Sequence, residues 1–492
     1  MQFQAGLRYW IILIMIENKI KRPHIIIVIA RGEAVRNFIF SDFLKEISQH
    51  SKVTILTNLN HAELKKFSEP FCDRIIQFQS YKENALVIFF REIIHTSHYQ
   101  WLWSEAAKYY WGRHNARVKG NIRQRIKLYI WRIFGRVIAF RSLLRICTRI
   151  EQWLSWKLRP TKDFDHLFNS LKPDLVFNCS HIHGVKADLP MRVASGMGIT
   201  TSVFIFSWDN LTSRSRIFPP YDYYLLWNEE MSGQLIEMYY PDINLDQVHT
   251  IGSPQFDFHF NPCYVWEKEK LFNEVGLDIN RSYILYTTGM ASDFPQEHKI
   301  VQSIIKYIKR IKIEERPQLV VRTYVKGTSE DMLLLSKNYQ NDKDIFFPPI
   351  LWDPISVMPL NKDLYVYSNL IRFTSLGINT ASTVTLELMM HKKPAINIGF
   401  EPPGSNLPNW SRFSRHVDYE HYLPVVASGA IMLARSISEL NDMIQFTLDN
   451  PHHKKREQQD FIDNMFDGKI EESSASRASN TLYKIVKISD LV

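Results

Sequence analysis

Short apolar runs alternate along most of this chain with stretches whose apolar positions recur every third or fourth residue. That alternation predicts a parallel α/β protein, because buried parallel strands are apolar throughout while the helices between them are amphipathic. HIIIVIA, residues 24–30, is a β-branched run that suits a buried strand. A polar turn, RGEAVRN, and an amphipathic helix to about residue 48 follow. KVTILTN then reads as the second strand and DRIIQFQ as the third. The rhythm breaks over about residues 82–159, which read as helices carrying Trp101, Trp103, Trp111, Trp131, Trp153 and Trp156 among arginines. It returns with strand KPDLVFNCS, a helix over 185–197, strands TTSVFIF and YDYYLLWN, helix EEMSGQLIEMYY and strand QVHTIGSP.

A second unit of the same kind starts near residue 266. Helix WEKEKLFNEVG leads to strand SYILYTTG, helix HKIVQSIIKYIKRI, strand QLVVRTYVKG and a helix over 363–373. The segment GINTASTVTLELMMHKKPAINIGF reads as a small-residue loop, a short helix and a buried strand. ARSISELNDMIQFTLDNP is a late helix, and the end of the chain is polar and helical. These units predict domains over 1–265 and 266–455, with 456–492 as closing helices that pack back on the first domain.

Length and composition fit this division. A chain of 492 residues is too long for one ordinary core. The four cysteines are scattered without a CxxC pair, which points to a reducing compartment and free thiols. The run LRYWIILIMI, residues 7–16, is too short to span a bilayer and reads as a pre-strand segment or interfacial anchor. A cytoplasmic protein is therefore expected. The formal charge of +9 is concentrated in one place. Residues 81–160 hold about sixteen Lys and Arg against about four Glu. This basic insertion can be a solvated helical face, a patch for anionic membrane headgroups, or a nucleic-acid surface, the last being the weakest of the three.

The candidate chemistry centres on the segment after residue 377. Ser382 and Thr383 stand just before the apolar helix, where backbone N–H groups and the helix dipole suit phosphate. Glu387 follows one turn deeper, placed to accept hydrogen bonds from ribose hydroxyls. Arg322 and Lys326 end a strand at the edge where open α/β sheets bind ligands, as phosphate contacts or as a solvated strand end. Gly289 either admits a ligand close to the backbone or simply turns the chain. Asp209, after TTSVFIF, is a candidate general base, or a turn residue bonding Thr212 or Ser213. His181 and His183, in CSHIHG, are further base or acceptor contacts rather than a metal pair, since no third ligand is near in sequence. Glu33 is another base candidate. There is no GxGxxG fingerprint and no DxD motif in a convincing loop, so neither a nicotinamide cofactor nor a metal is expected.

Taken in order, these pieces resemble a GT-B glycosyltransferase, two Rossmann-like domains facing across a cleft. More narrowly they resemble the bacterial surface-polysaccharide transferases related to CDP-glycerol glycerophosphotransferases. NTASTVTLELMMHKKPAINIGF is similar to that family's donor element, and SISELNDMI with FDGKIEESSASRASNTL to its closing helices. SWDNLTSR, YDYYLLWN and IGSPQFD resemble the passage before its domain crossover. RTYVKG stands where the family often has an R-x-H-P element and lacks the His-Pro. The resemblance covers roughly residues 172–485 and leaves the basic insertion unmatched. It implies a nucleotide-sugar donor on the second domain, a glycan or lipid-linked acceptor on the first, and metal-independent transfer. Retaining and inverting chemistry both stay open, the absence of an obvious E-x7-E pair leaning to inversion, and a lipid-linked acceptor with the basic insertion leads to an expectation of peripheral attachment to the inner membrane. A polyol-phosphate transferase, a UDP-sugar 2-epimerase and an inactive membrane-associated scaffold are the competing expectations.

Overall fold

A computed structural model describes residues 22–182, 187–214 and 216–489. His183 and the apolar run at 7–16 lie outside these described residues. Two parallel sheets form the frame. The first contains β1 (His24–Ile29), β2 (Lys52–Thr57), β3 (Arg74–Gln77), β4 (Leu175–Asn178), β5 (Thr200–Phe204), β6 (Tyr223–Leu226) and β7 (Val248–Thr250), in the order β3-β2-β1-β4-β5-β6-β7. The second contains β8 (Tyr283–Thr287), β9 (Gln318–Arg322), β10 (Ile345–Phe346), β13 (Leu376–Asn379), β14 (Ala395–Ile398) and β15 (Met432–Ala434), in the order β10-β9-β8-β13-β14-β15. A small antiparallel hairpin, β11 (Trp352–Asp353) with β12 (Met358–Pro359), lies between β10 and β13 in the chain. The protein is thus α/β, with two Rossmann-like sheets and a helical basic insertion in the first.

The second sheet shows why strands buried on both faces need no polar alternation. Tyr283, Leu285 and Val320 belong to the core cluster shared with the first sheet, whereas Ile284, Tyr286, Leu319 and Val321 belong to a separate cluster on the opposite face. Its register sets Arg322, Thr287, Asn379 and Asn397 abreast at the carboxyl ends of four neighbouring strands. Both sheets change direction of winding beside their first strands, β1 with β4 and β8 with β13, which is where crevices open in such sheets.

Residues 31–37 depart from the expected polar turn. They enter a helix, Gly32–Phe38, in which six of the seven residues are buried. Its glycine sits against the backbone carbonyls of Ser356 and Val357, so the first loop of one sheet docks on the hairpin of the other. The insertion folds as four helices, Ala85–Leu102, Glu105–Arg117, Ile122–Val137 and Arg141–Lys157. A buried charge cluster anchors it: Glu151 accepts from Arg91 at 2.7 Å and from Arg192 at 2.9 Å. At the other end of the chain, helix Ser474–Ser489 packs on helix Phe43–His50. Asp257 receives the backbone N–H groups of Ser474 and Ala475 at 3.0 and 2.8 Å, and so caps that helix. Gly252, with φ of 76°, permits both the turn and the close approach of Ser474.

Candidate active site

The carboxyl ends of the two sheets face each other across a cavity of about 460 Å³. Asp209, Gly289, Arg322, Lys326, Ser382, Thr383 and Glu387 all line it, as does Glu33. Residues separated by nearly the whole chain thus meet because each follows a strand of one sheet or the other.

The wall from the second sheet is shaped by Asn379. Its Oδ1 accepts from Ser382 N–H at 3.1 Å, Thr385 Oγ1 at 3.0 Å and Asn397 Nδ2 at 3.1 Å. The Tyr422 hydroxyl lies 2.8 Å from both Thr385 Oγ1 and Asn397 Oδ1. This buried network holds the loop through Ala381, whose φ is 49°, and presents Ser382 and Thr383 to the cavity. Helix Val384–Met390 then begins with Thr383 as N-cap, whose hydroxyl accepts no backbone N–H of the helix. Glu387 is buried and receives the Tyr367 hydroxyl, with His259 Nε2 at 3.9 Å on its other oxygen.

Arg322 is not a solvated strand end. It is 5% exposed, donates to Asp363 Oδ2 at 2.7 Å, and packs its guanidinium over the Tyr367 ring at 5.0 Å. Asp363 also accepts from Leu351 N–H at 3.1 Å and Trp352 Nε1 at 2.8 Å. Arg322 Nη1 has no protein partner. Gly289 turns out to be set by packing, because a Cβ there would enter the Phe294 ring. Its N–H points away to the Glu297 carboxyl, at 3.2 and 3.1 Å. Burial raises that carboxyl to about 8, against the N–H of Gly289 and the Tyr286 hydroxyl, which favour its charged form.

From the first sheet come cations that sequence reading passed over. Arg36, on the helix after β1, donates to Gln255 Oε1 at 2.8 Å and to Asn37 Oδ1 at 3.0 Å, both neutral. Arg214 packs over Tyr110 at 5.1 Å. Lys326 reaches across from the second sheet to touch Glu33, which Arg31 also contacts. Burial, and then the guanidinium groups of Arg31, Arg214 and Arg36, draw the Lys326 ammonium down to about 7. Glu33 and Asp209 offset part of this charge, while Arg36, whose hydrogen-bond partners are neutral, is left to suit an anion.

Asp209 lines the cavity, but its oxygens accept from Ser213 Oγ at 2.7 Å and Asn210 Nδ2 at 3.1 Å, as the turn reading expects. Burial opposes its ionisation, yet His421, Arg214 and the serine hydroxyls outweigh burial and keep its pKa below the usual value. His181 stands behind this wall rather than in it. Its Nδ1 accepts Phe206 N–H at 3.4 Å, and burial holds it neutral, down to about 3. Of the imidazoles that line the cavity, His416 and His421, both on a long loop after β14 that also supplies Tyr419 and Tyr422, His421 is the one coupled to Asp209. Burial lowers its pKa, while Asp209 favours its protonated form. The only advance signal was the density of histidine and aromatic residues in FSRHVDYEHYL. Tyr109 and Tyr110, from the insertion, complete the cavity wall. Among the described residues no three His, Cys, Asp or Glu side chains gather as a metal-binding group.

The class defined by this frame is a GT-B-like pair of Rossmann domains. Among solved structures it is similar to the UDP-GlcNAc 2-epimerase from Methanocaldococcus jannaschii, at a TM-score of 0.51 and 13% identity over 94% of this chain and 99% of that one. The UDP-GlcNAc 2-epimerase from Neisseria meningitidis bound to UDP-GlcNAc gives 0.52 and 12%, over 94% and 99%. The UDP-N-acetylglucosamine 2-epimerase from Rickettsia bellii gives 0.51 and 10%, over 95% and 98%. Identities this low carry the fold alone. No family model and no curated protein matches the chain. These comparisons do not show the narrower likeness to CDP-glycerol transferases.

Proposed function

We propose that this protein is a GT-B glycosyltransferase acting in surface-polysaccharide synthesis, moving a sugar from a nucleotide-activated donor to a glycan or lipid-linked acceptor. The observation that carries the reading is the cleft itself. Ser382, Thr383 and Glu387 form one wall, and the cations Arg36, Arg214 and Lys326 converge on the same space. The nucleoside lies toward Glu387, and the diphosphate lies among the cations, which stabilise the charge that develops on the leaving group. The acceptor enters from the side of Tyr109 and Tyr110. His421 takes the acceptor hydroxyl proton, and Asp209 stabilises the imidazolium that forms. Domain closure excludes water from the donor. UDP is the first nucleotide to test, since solved structures of similar fold include one bound to UDP-GlcNAc.

A 2-epimerase is the second reading, favoured by the carboxylates Glu33, Asp209, Asp293, Asp363 and Glu387 in the cleft wall. One experiment separates the two. Thermal shift against UDP, GDP, CDP, CMP and dTDP selects the nucleotide, and product analysis follows with the matching nucleotide sugar. Epimerised sugar without any acceptor rejects the transferase. Release of CMP points to a polyol-phosphate transferase. No stabilisation by any nucleotide, or unchanged calorimetric binding in Ser382→Ala and Glu387→Ala, removes the donor-site assignment.

A further inference from the structure

The helical insertion carries its apolar residues on the wrong side for a core. Helix Ile122–Val137 buries only Leu128 and Gly135. At about 100° per residue, Ile122, Ile126, Ile130, Ile133 and Val137 form one stripe on the opposite face of that helix. All five are exposed. Arg125 and Arg136 flank the stripe on one side, and Arg123 and Lys127 on the other. The next helix, Arg141–Lys157, repeats the arrangement. It buries Leu144, Thr148, Glu151 and Ser155 and exposes Leu143, Ile146, Ile150 and Trp153. Both helices pack on Ala85–Leu102, and the short connection between them exposes Phe140.

We infer that these two helices are a docking surface for an anionic lipid bilayer, lying in the plane of the headgroups with their isoleucine stripes inserted. Charge selects this occupant. Helix Ile122–Val137 has no acidic residue, and the one carboxylate of Arg141–Lys157, Glu151, is fully buried against Arg91 and Arg192. A second copy of this chain placed face to face would set cations against cations, whereas anionic headgroups meet them with opposite charge. Scattered exposed apolar residues need no explanation, but contiguous stripes bordered by Arg and Lys have the form of an interfacial helix. Of the tryptophans, Trp153 belongs to the exposed stripe, but others contribute little. Trp111 and Trp156 are taken up beneath Arg132 and Arg159, at 3.7 and 4.2 Å. No described helix is long and apolar enough to cross the membrane, so attachment is to the surface. The same insertion supplies Tyr109 and Tyr110 to the cleft, and docking would hold the cleft mouth at the bilayer.

The test is co-sedimentation of the full chain with vesicles of phosphatidylcholine alone or mixed with phosphatidylglycerol. Binding is expected to the mixed vesicles and to weaken as salt is raised. Ile126→Asp with Ile133→Asp should lower the partition by about tenfold or more, and so should the fourfold variant Arg123→Gln, Arg125→Gln, Lys127→Gln, Arg136→Gln. All six side chains face solvent, so melting temperatures should stay unchanged. No binding to phosphatidylglycerol vesicles overturns the proposal, as does equal binding by folded variants. A dimer in light scattering that Ile126→Asp separates, without vesicle binding, assigns the face to a second copy instead. Nucleotide binding plays no part in this readout, so its failure leaves the reading of the cleft intact.

Discussion

The indole Nε1 of Trp208 donates a hydrogen bond to Thr383 Oγ1 at 3.3 Å. Trp208 follows β5 of the first sheet and Thr383 follows β13 of the second, so this bond ties the two cleft walls beside the proposed donor site. The Trp208 ring also packs on His421 and Tyr422, at 5.2 and 5.8 Å. Trp208→Phe keeps most of this packing and removes the donor. A hydrogen bond of about 1 kcal/mol predicts nucleotide affinity lower by about fivefold, with little loss of melting temperature. Calorimetric titration of the two proteins measures it, and equal affinities would show that the bond does not organise the cleft.

The pairing of Arg322 with Asp363 predicts an asymmetry. Asp363 neutralises the guanidinium and also receives Leu351 N–H and the Trp352 indole, so it serves three donors, all within 3.1 Å. Asp363→Ala leaves a buried cation and two orphaned N–H groups, and on the order of 3–5 kcal/mol of stability should be lost. Arg322→Met retains two donors on the carboxylate and should cost distinctly less. Denaturant unfolding of both variants ranks them. If Arg322→Met proves the more damaging, the carboxylate is not the hub.

The frame of this protein was legible in its sequence because buried parallel strands must be apolar on both faces, as HIIIVIA and SYILYTTG are. The segment 377–400 was legible for a related reason, since small residues, a cap position and a strand follow in the order the fold requires. Residues 31–37 misled because Glu33 and Asn37 are buried, Glu33 against Lys326 of the other sheet and Asn37 beside Arg36, so their polarity imitates a turn. Two-residue strands such as Trp352–Asp353 and Met358–Pro359 are too short to show periodicity. Arg36 and His421 remained hidden because their importance comes from neighbours far along the chain. No local pattern records that Arg36 faces Gln255 or that His421 lies beside Trp208.

Gly289 yields a prediction about packing. A methyl group there would collide with Phe294, whose ring stands edge-on to Phe413 at 5.0 Å and lies 4.4 Å from His416. Gly289→Ala should therefore cost about 1–3 kcal/mol by overpacking. The double variant Gly289→Ala with Phe294→Leu makes room and should recover part of that loss. Melting temperatures decide the matter. Failure of the second change to rescue the first would mean that the glycine serves the backbone or a ligand instead.

Lys326 makes the cleft sensitive to pH. Burial and the surrounding Arg31, Arg214 and Arg36 draw it down to about 7, with Glu33 in contact and Asp209 opposing the shift. A diphosphate bound beside it favours the charged ammonium, so the pKa in the complex must lie higher than in the free protein. Below pH 7 the lysine is already protonated and affinity is at its full value. Above pH 7 the free protein loses the proton that the complex keeps, so binding takes up a proton and affinity falls, by up to about tenfold per pH unit. Lys326→Arg replaces the titrating group with a permanent cation and should flatten the profile between pH 7 and 9. Calorimetry in two buffers of different ionisation enthalpy counts the proton directly. An uptake near zero at pH 8 in the wild-type protein would place the phosphate away from Lys326 and return the grip to Arg36 and Arg214.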